Sequence, residues 1–225
     1  MLGQQQSPDL PTLDPGITLL ETDERTTGAL HSLVLDRLLV DGGTAVWVDA
    51  RDEGSTQPLA RIAPNTRVLE RVAIARGFTP WQHQSILRDL RGELDEETPL
   101  VVLPAFDWFY RSDDVTDAQG ERMLAAGVDL VAEVAEREGV PVVLTRTADD
   151  CFAAPLDEAA DAVVRCEQTA FGPRFAGEDF ETLVYPLGDG TVQTTLAYWR
   201  RVLAARHPAV AVEATPTEVT TRGAN

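Results

Sequence analysis

The chain has 225 residues, contains no lysine, and sets nineteen arginines against thirty-seven aspartates and glutamates, for a formal net charge of −18. In dilute buffer such a surface repels DNA, RNA and anionic lipid, so the composition gives no positive evidence for a nucleic-acid or membrane partner. In multimolar salt this repulsion is mostly screened, because the Debye length falls to roughly 3 Å. We therefore expect a halophilic protein whose acidic surface keeps it soluble in concentrated salt.

Length and hydrophobic content predict one α/β domain. The chain is long enough to bury a substantial core, and its hydrophobic fraction of 44% is ordinary for a globular protein. The ends, residues 1–15 and 208–225, are rich in Pro, Thr, Gln and Gly and lack helical or strand periodicity. We expect flexible tails there, flanking a core domain at 16–207.

The sequence carries no sign of a membrane span or an export signal. No apolar run approaches the ~20 residues needed to cross a bilayer. Residues 1–15 are polar and have no basic start, unlike a signal peptide. We expect a cytoplasmic protein, in which Cys151 and Cys166 are small buried thiols.

Strand-like and helix-like segments alternate through the first two thirds of the chain. Short β-branched or apolar runs predict the strands, and apolar residues at helical spacing predict the helices between them. The predicted elements are strands at 17–20, 44–49, 68–75, 100–103 and 140–145, and helices at 27–40, 56–62, 80–90 and 119–138. This alternation predicts parallel βα units.

After residue 160 the pattern changes to short alternating segments separated by turn residues. The predicted strands are 162–168, 182–187 and 191–198, with turns at Gly172-Pro173 and Gly188-Asp189-Gly190. Such a series is typical of antiparallel strands. The sequence therefore predicts a mostly parallel sheet flanked by helices, with an antiparallel C-terminal extension.

The order of these elements and three local sequences resemble the ATPase core of the RecA-type recombinases, especially the archaeal RadA and RadB branch. RVAIARGFTPWQHQSILRDL (71–90) is similar to the family's xxVARAFxxxxQ strand and helix, and GVPVVLTR (139–146) to its xVAVVVTNQ strand. LVVLPAFDWFYR (100–111) lies where the family has its Walker B strand and DSxxxxFR. LDPGITLLETDERTTGAL (13–30) lies where it has a lead-in strand and Walker A loop. The resemblance covers about 13–200 and implies a RecA-like P-loop NTPase core.

The residues that the family uses for ATP chemistry are missing at the matching positions. A P-loop wraps phosphates with glycine-rich backbone and a lysine. Here the loop has no glycine before Gly28, and Thr26 stands at the lysine position. Only Thr27 still matches, as the magnesium-binding hydroxyl, and Arg25 is the one cation that could replace the lysine. We expect this loop to be vestigial and to bind no cofactor.

Two further positions also lack the residue that the family uses for ATP chemistry. The Walker B aspartate is replaced by Pro104, and Asp107 follows three residues later, past the expected strand end. The glutamate that would activate water is replaced by Arg51. Nearby acids at 49–53 could in principle hold a metal, but acids cluster throughout this chain. Losses at three places predict a pseudo-ATPase with no catalytic residue and no metal site.

Aromatic and basic residues offer candidate partner contacts. Trp81, Trp108 and Tyr110 fall at loop or helix edges, which suits a contact surface, although some of these aromatics are expected to complete the core. Arg200 and Arg201 form a basic cluster with Trp199 and Arg206 near the C-terminus. The alternative is that these arginines only decorate a helix C-terminus.

The segment 147–161 lies where the resemblance places a second DNA-binding loop. It reads TADDCFAAPLDEAAD and contains no basic residue. An arginine-rich protein surface is therefore a better partner for it than DNA, and contact with DNA elsewhere on the chain stays open.

These observations support three hypotheses. The first is a non-catalytic RecA/RadA-like accessory protein in homologous recombination or DNA repair, which contacts a RadA-type recombinase or another repair factor. The second is an atypical ATPase that binds ATP and Mg²⁺ with Arg25 and Asp107. The third is a regulatory scaffold of the wider RecA/KaiC-like superfamily, unrelated to DNA. The three separate losses favour the first.

Overall fold

A computed structural model describes residues 9–22, 28–51, 54, 56–169, 172–178, 180–182 and 195–212. The strands are β1 (Gly16–Thr22), β2 (Ala45–Asp49), β3 (Val72–Arg76), β4 (Val101–Leu103), β5 (Pro141–Leu144), β6 (Ala162–Thr169) and β7 (Gly172–Ala176). The helices are α1 (Ala29–Asp41), α2 (Thr56–Ile62), α3 (Pro80–Asp89), α4 (Asp117–Glu138), α5 (Ala154–Ala159), α6 (Thr195–Arg206) and α7 (Pro208–Val212).

The strands form one sheet in the order β3-β2-β4-β5-β1-β6-β7. All neighbouring pairs are parallel except β6 and β7, which run antiparallel. The prediction of an α/β fold with a mostly parallel sheet and an antiparallel C-terminal pair is confirmed at this level. β1 lies inside the sheet, between β5 and β6, so the chain crosses β5 and β4 to reach β2.

Successive strand residues point to opposite faces of the sheet, and each face has its own apolar core. On one face α1, α2 and α6 pack through residues such as Leu35, Ile62 and Trp199. On the other, α3, α4 and α5 pack through residues such as Leu87, Val131 and Leu156. The central strands are buried on both sides, as expected for a parallel sheet covered by helices.

Local signals set the ends of the two helices that pack together on the second face. Pro80 occupies the first turn of α3, and the Thr79 hydroxyl accepts a hydrogen bond from the Gln82 amide at 3.2 Å. Both features are typical of a helix N-terminus. α4 ends at Gly139, whose φ of 62° is the left-handed conformation that favours glycine.

Several predicted elements differ from the structure. Residues 195–198, predicted as strand, belong to α6, because Trp199, Val202 and Leu203 have helical spacing and are buried against the first face. Tertiary packing thus overrides the β preference of Thr and Tyr. Gly172-Pro173, predicted as a turn, begins β7. Residues 183–194 lie outside the described residues. They include the predicted strand 182–187, apart from Thr182, and the turn at 188–190.

Two other predicted strands, those at 162–168 and 68–75, also differ from the structure. β6, predicted to be antiparallel, pairs in parallel with β1 and antiparallel only with β7. The predicted strand 68–75 starts at Val72, because Arg67–Arg71 forms a 3₁₀ turn. That turn directs Arg71 to the C-terminus of α1, where its guanidinium donates to the carbonyl of Leu38 at 2.5 Å. The unpaired carbonyls of a helix end need such donors.

Residues near both ends of the chain pack or are helical. Leu10 and Leu13 are buried in the first core, so the N-terminal segment that was expected to be a flexible tail packs on the domain from at least residue 9. α7 occupies the first residues of the expected C-terminal tail. Cys166 is buried as predicted, whereas Cys151 is exposed.

A buried polar cluster lies between α3 and the turn that follows β4. The Tyr110 hydroxyl lies 2.7 Å from Nδ1 of His83 and accepts from the Gln84 amide at 3.0 Å. Nε2 on the other side of the His83 ring is buried and has no hydrogen-bond partner among the described residues. The His83 ring also contacts Phe106 and Phe109. Burial lowers the pKa of His83 to about 4 from 6.5.

This burial predicts acid destabilisation. Folded His83 stays neutral while unfolded His83 takes up a proton below pH 6.5, so stability is lost as the pH falls from about 6.5 to about 4. The lost free energy of unfolding attributable to this residue is about 3 kcal/mol. Denaturant titrations across this range measure it. In His83→Gln, which keeps an acceptor for Tyr110, the pH dependence should be shallower by that amount, and equal slopes in the two proteins would contradict the assignment.

Close packing of α4 on the turn after β4 generates a second prediction. A Cβ atom at Gly120 would lie 2.1 Å from the carbonyl oxygen of Tyr110. Gly120→Ala should therefore lower the free energy of unfolding by about 1–3 kcal/mol, although alanine is normally the better helix former. Gly92→Ala is the matched control, because a Cβ there meets nothing within 4 Å. Equal stability of the two variants in denaturant unfolding would refute the packing argument.

Candidate functional site at the carboxyl edge of the sheet

The carboxyl ends of the parallel strands meet at one edge of the sheet. The helix after β1 lies on the first face and the helix after β5 lies on the second, so a crevice is expected between these two strand ends. In open α/β sheets this topological switch point is the usual ligand site. The side chains around it decide what the edge can bind.

An ion pair spans this crevice. Glu21 near the end of β1 accepts a hydrogen bond from the guanidinium of Arg146, which follows β5. The other oxygen of Glu21 accepts from Nε of Arg165 on β6 at 2.6 Å. Arg146 has only 7% of its side chain exposed. Both carboxylate oxygens of Glu21 are thus engaged, and β1 is tied to its two neighbours at this edge.

Arg146 also fixes the segment that follows β5. Its guanidinium donates to both carboxylate oxygens of Asp157 on α5, at 2.5 and 2.6 Å, and lies 3.1 Å from Asp149. One buried arginine therefore holds three carboxylates from β1, the loop and α5. Asp149 and Asp157 of segment 147–161 are in this way already paired inside the chain, which weakens the expectation that these acids serve an arginine-rich partner.

The turn after β4 directs Asp107 into the protein. β4 ends at Leu103, Pro104 supplies no amide proton, and Ala105 has a positive φ of 46°. Thr145 braces the turn, because its hydroxyl accepts from the Ala105 amide at 2.8 Å and its carbonyl from the Phe106 amide at 2.9 Å. A non-glycine residue in this conformation costs of order 1 kcal/mol, which this bracing offsets.

Asp107 is completely buried and fully hydrogen-bonded. One oxygen accepts from the amide of Thr147 at 2.7 Å, and the other accepts from the Thr147 hydroxyl at 2.8 Å and from Nε of Arg111 at 2.5 Å. Arg111 then donates to both oxygens of Asp150, at 2.9 and 2.7 Å. Asp107 therefore lies past the strand end, as predicted, and anchors the loop after β5 to the turn after β4.

The electrostatic consequences follow from these contacts. The hydrogen bond to Asp150 holds the pKa of Arg111 above its usual range, and the same contact lowers the pKa of Asp150 to about 2. The hydrogen bond from Arg165 to Glu21 likewise raises the pKa of that guanidinium. Arg111 in addition lies over the ring of Phe152, with its central carbon 4.5 Å from the ring centre. Arg111, Asp150 and Arg165 therefore stay charged near neutral pH.

At the end of β2 the second candidate acid is also satisfied. Asp49 is buried, and it accepts from the Gly54 amide at 3.0 Å and from Nε of Arg76 at 2.8 Å. Arg51, which the sequence resemblance placed at the position of a glutamate, lies over the ring of Trp108 at 4.5 Å. Among the residues that the structure describes, no group of three or more His, Cys, Asp or Glu is arranged to hold a metal. Asp52 and Glu53 lie outside that part.

The residues at the expected Walker A position cannot be placed. Arg25, Thr26 and Thr27 lie outside the described residues, in the interval between β1 and Gly28. The described chain stops at Thr22, next to the Glu21–Arg146 pair, and resumes at Gly28, whose φ is 91° and which lies next to Trp199.

The candidate contact residues divide into two groups. Trp81 is 51% exposed and Trp108 is 41% exposed, whereas Tyr110 is 1% exposed. Tyr110 belongs to the polar cluster around His83, so it completes the core and is not available as a contact residue. Arg200 and Arg201 are exposed on α6. Arg206, the third arginine of that cluster, pairs with Asp36 on α1 at 2.7 Å.

Sequence reasoning missed the arginines that organise this edge. Arg146 and Arg111 are single residues in segments compared with strand and loop motifs, and a lone arginine gives no sequence signal of its partners. The available signal was spacing: Arg146 lies three residues before Asp149 and directly after a buried strand. A cation there must face the same sheet edge as Glu21, near the end of β1.

No protein-family model matches this chain, and no curated protein matches it. Within the part of the chain that the structure describes, no helix is long and apolar enough to cross a membrane.

The two carboxylates bound to Arg111 provide a matched test of this site. Asp107→Asn places an amide among the three buried donors, so we expect the free energy of unfolding to fall by about 3–5 kcal/mol. Asp150→Asn removes the exposed partner of the same arginine, and solvent should replace it at a far smaller cost. Denaturant unfolding measures both, and similar losses in the two variants would disprove the anchoring role of Asp107.

Proposed function

We propose that this protein is a non-catalytic RecA/RadA-like accessory protein of homologous recombination or DNA repair, which acts in the cytoplasm through protein contacts. The observation that carries the proposal is the ion-paired edge of the sheet. The crevice between β1 and β5, where a nucleotide would bind, is spanned by Glu21 and Arg146. The acidic partner in that pair is the opposite of what a triphosphate needs.

The fold supports the RecA-like part of the proposal. The strand that precedes the Walker A position, β1, and the strand at the Walker B position, β4, run parallel, with only β5 between them. Their carboxyl ends therefore lie at the same edge, as an ancestral P-loop site would require.

The side chains support the loss of ATP chemistry. Asp107, the acid nearest the Walker B position, has both oxygens committed to Thr147 and Arg111. Binding Mg²⁺ would require breaking these buried bonds and leaving Arg111 without one of its two acids. Arg146, a buried cation at the crevice, is similarly committed to three carboxylates. A phosphate would have to displace them.

An exposed aromatic pair supports action by contact. Phe78 is 71% exposed and Trp81 is 51% exposed, at the junction of β3 and α3. β3 is the outer strand on that side of the described sheet. Large exposed aromatics beside an unpaired strand edge are typical of a protein-binding surface.

Nucleotide titration separates this proposal from the atypical ATPase. We expect no heat of ATP–Mg²⁺ binding and no phosphate release in calorimetry and hydrolysis assays at high salt. Thr26→Lys should also remain inactive, because it restores one position of three. Turnover by that single variant, or saturable binding by the wild type, would overturn the non-catalytic assignment.

A comparative pull-down tests the contact and its biological setting. The tagged protein should recover a recombinase, polymerase or single-strand-binding protein from a halophilic host, and recovery should be lost in the double variant Phe78→Ser/Trp81→Ala. Val40→Ala is the matched control, because Val40 is 60% exposed on α1 and lies on the other face. Recovery of unrelated regulators alone would instead support the scaffold outside DNA repair.

A further inference from the structure

A groove of about 410 Å³ runs between α3 and α4 on the second face of the domain. Trp81 and Arg88 line it from α3, and Arg122, Met123 and Ala126 line it from α4. Half of the Trp81 surface is exposed there. The groove thus combines an apolar wall with two guanidinium groups, and it lies apart from the ion-paired edge.

The floor of the groove is rigid. Gln84 is 3% exposed, and its amide donates both to the carbonyl of Met123 at 2.7 Å and to the hydroxyl of Tyr110 at 3.0 Å. α4 approaches closely here, because a Cβ at Gly127 would lie 3.1 Å from the Gln84 amide nitrogen. The two helices are therefore locked at a fixed separation, which reduces the ordering cost of binding.

The charge of the groove is the reverse of that of the chain. The chain has an excess of eighteen acids over arginines, yet none of the residues lining the groove is Asp or Glu. In the part of the chain that the structure describes, no carboxylate pairs with Arg88 or Arg122, while the arginines of the sheet edge are bound to acids. Arg88 makes a long contact of 3.4 Å with the Gln84 side chain. Two arginines are thus held available at a preformed groove.

We propose that this groove docks an acidic peptide segment of a partner protein. An apolar side chain of that segment packs against Trp81 and Met123, and its carboxylates bind Arg88 and Arg122. The inference deepens the proposed function and rests on it, because it names the chemistry of the contacted partner. Nucleic acid fits less well, since two arginines beside an apolar wall match a peptide side chain better than a phosphate backbone.

Selection from a random dodecapeptide phage library tests the groove directly, because it needs only this chain as bait. The wild type is the bait, and the double variant Arg88→Glu/Arg122→Glu is the comparison. Arg61→Glu/Arg137→Glu, with the same net charge and both changes at exposed positions elsewhere, is the control. We expect selected peptides to be acidic with one or two large apolar residues. Their affinity should fall roughly tenfold in the groove variant and stay unchanged in the control.

Each other outcome overturns the inference. Selected peptides that are basic, or that bind the groove variant as well as the wild type, would show that the contact surface lies elsewhere, while leaving the contact function intact. Binding of a single-stranded oligonucleotide that is lost only in the groove variant would assign the groove to nucleic acid. Failure to select any peptide, with no partner in the pull-down, would remove the contact function itself.

Discussion

The ion pair between Glu21 and Arg146 is the constraint on which the rest of the carboxyl edge depends. It joins β1 to the segment after β5 across the topological switch point, where this architecture normally keeps an open crevice. The same arginine holds Asp157 and Asp149, so α5 and its loop are positioned by one guanidinium. In this architecture the crevice can hold a phosphate, whereas here a side-chain bridge spans it and positions the segments of the whole edge.

Arginines are far fewer than acids in this chain, and two surfaces differ in whether their arginines are paired with carboxylates. At the sheet edge, the guanidinium groups of Arg111 and Arg146 bind the carboxylates of Asp150 and Asp157. These pairs stabilise the loops and leave the two arginines neutralised by acids of the chain itself. In the groove between α3 and α4, Arg88 and Arg122 face an apolar wall without a carboxylate among its lining residues. The arginines of the sheet edge are thus paired within the chain, whereas those of the groove are available to bind a partner. This contrast favours a protein that acts by contact, through the helices, over one that acts at the strand ends.

The sequence predicted the parallel βα units well, because buried strands and amphipathic helices have distinct periods. The strand prediction for residues 195–198 was wrong. The helix there is stabilised by packing of Trp199, Val202 and Leu203 on the sheet face, which local sequence does not reveal. At the site, the position of Asp107 beyond its strand was predictable from chain order. Its burial was not, because that depends on the positive φ of Ala105 and on donors forty residues away in sequence. The prediction of Tyr110 as a contact residue was wrong for the same reason, because its burial depends on partners on α3 that are distant in the chain.

A double-mutant cycle on the free energy of unfolding, with Glu21→Gln, Arg146→Gln and the combined variant, tests the central constraint most directly. Both side chains are mostly buried, so the two changes together should cost less than the sum of the single changes, by at least roughly 1 kcal/mol. Binding of ATP should remain absent in all three variants. A coupling energy indistinguishable from zero would show that the pair does not hold the edge together, and the account of a bridged crevice would then fail.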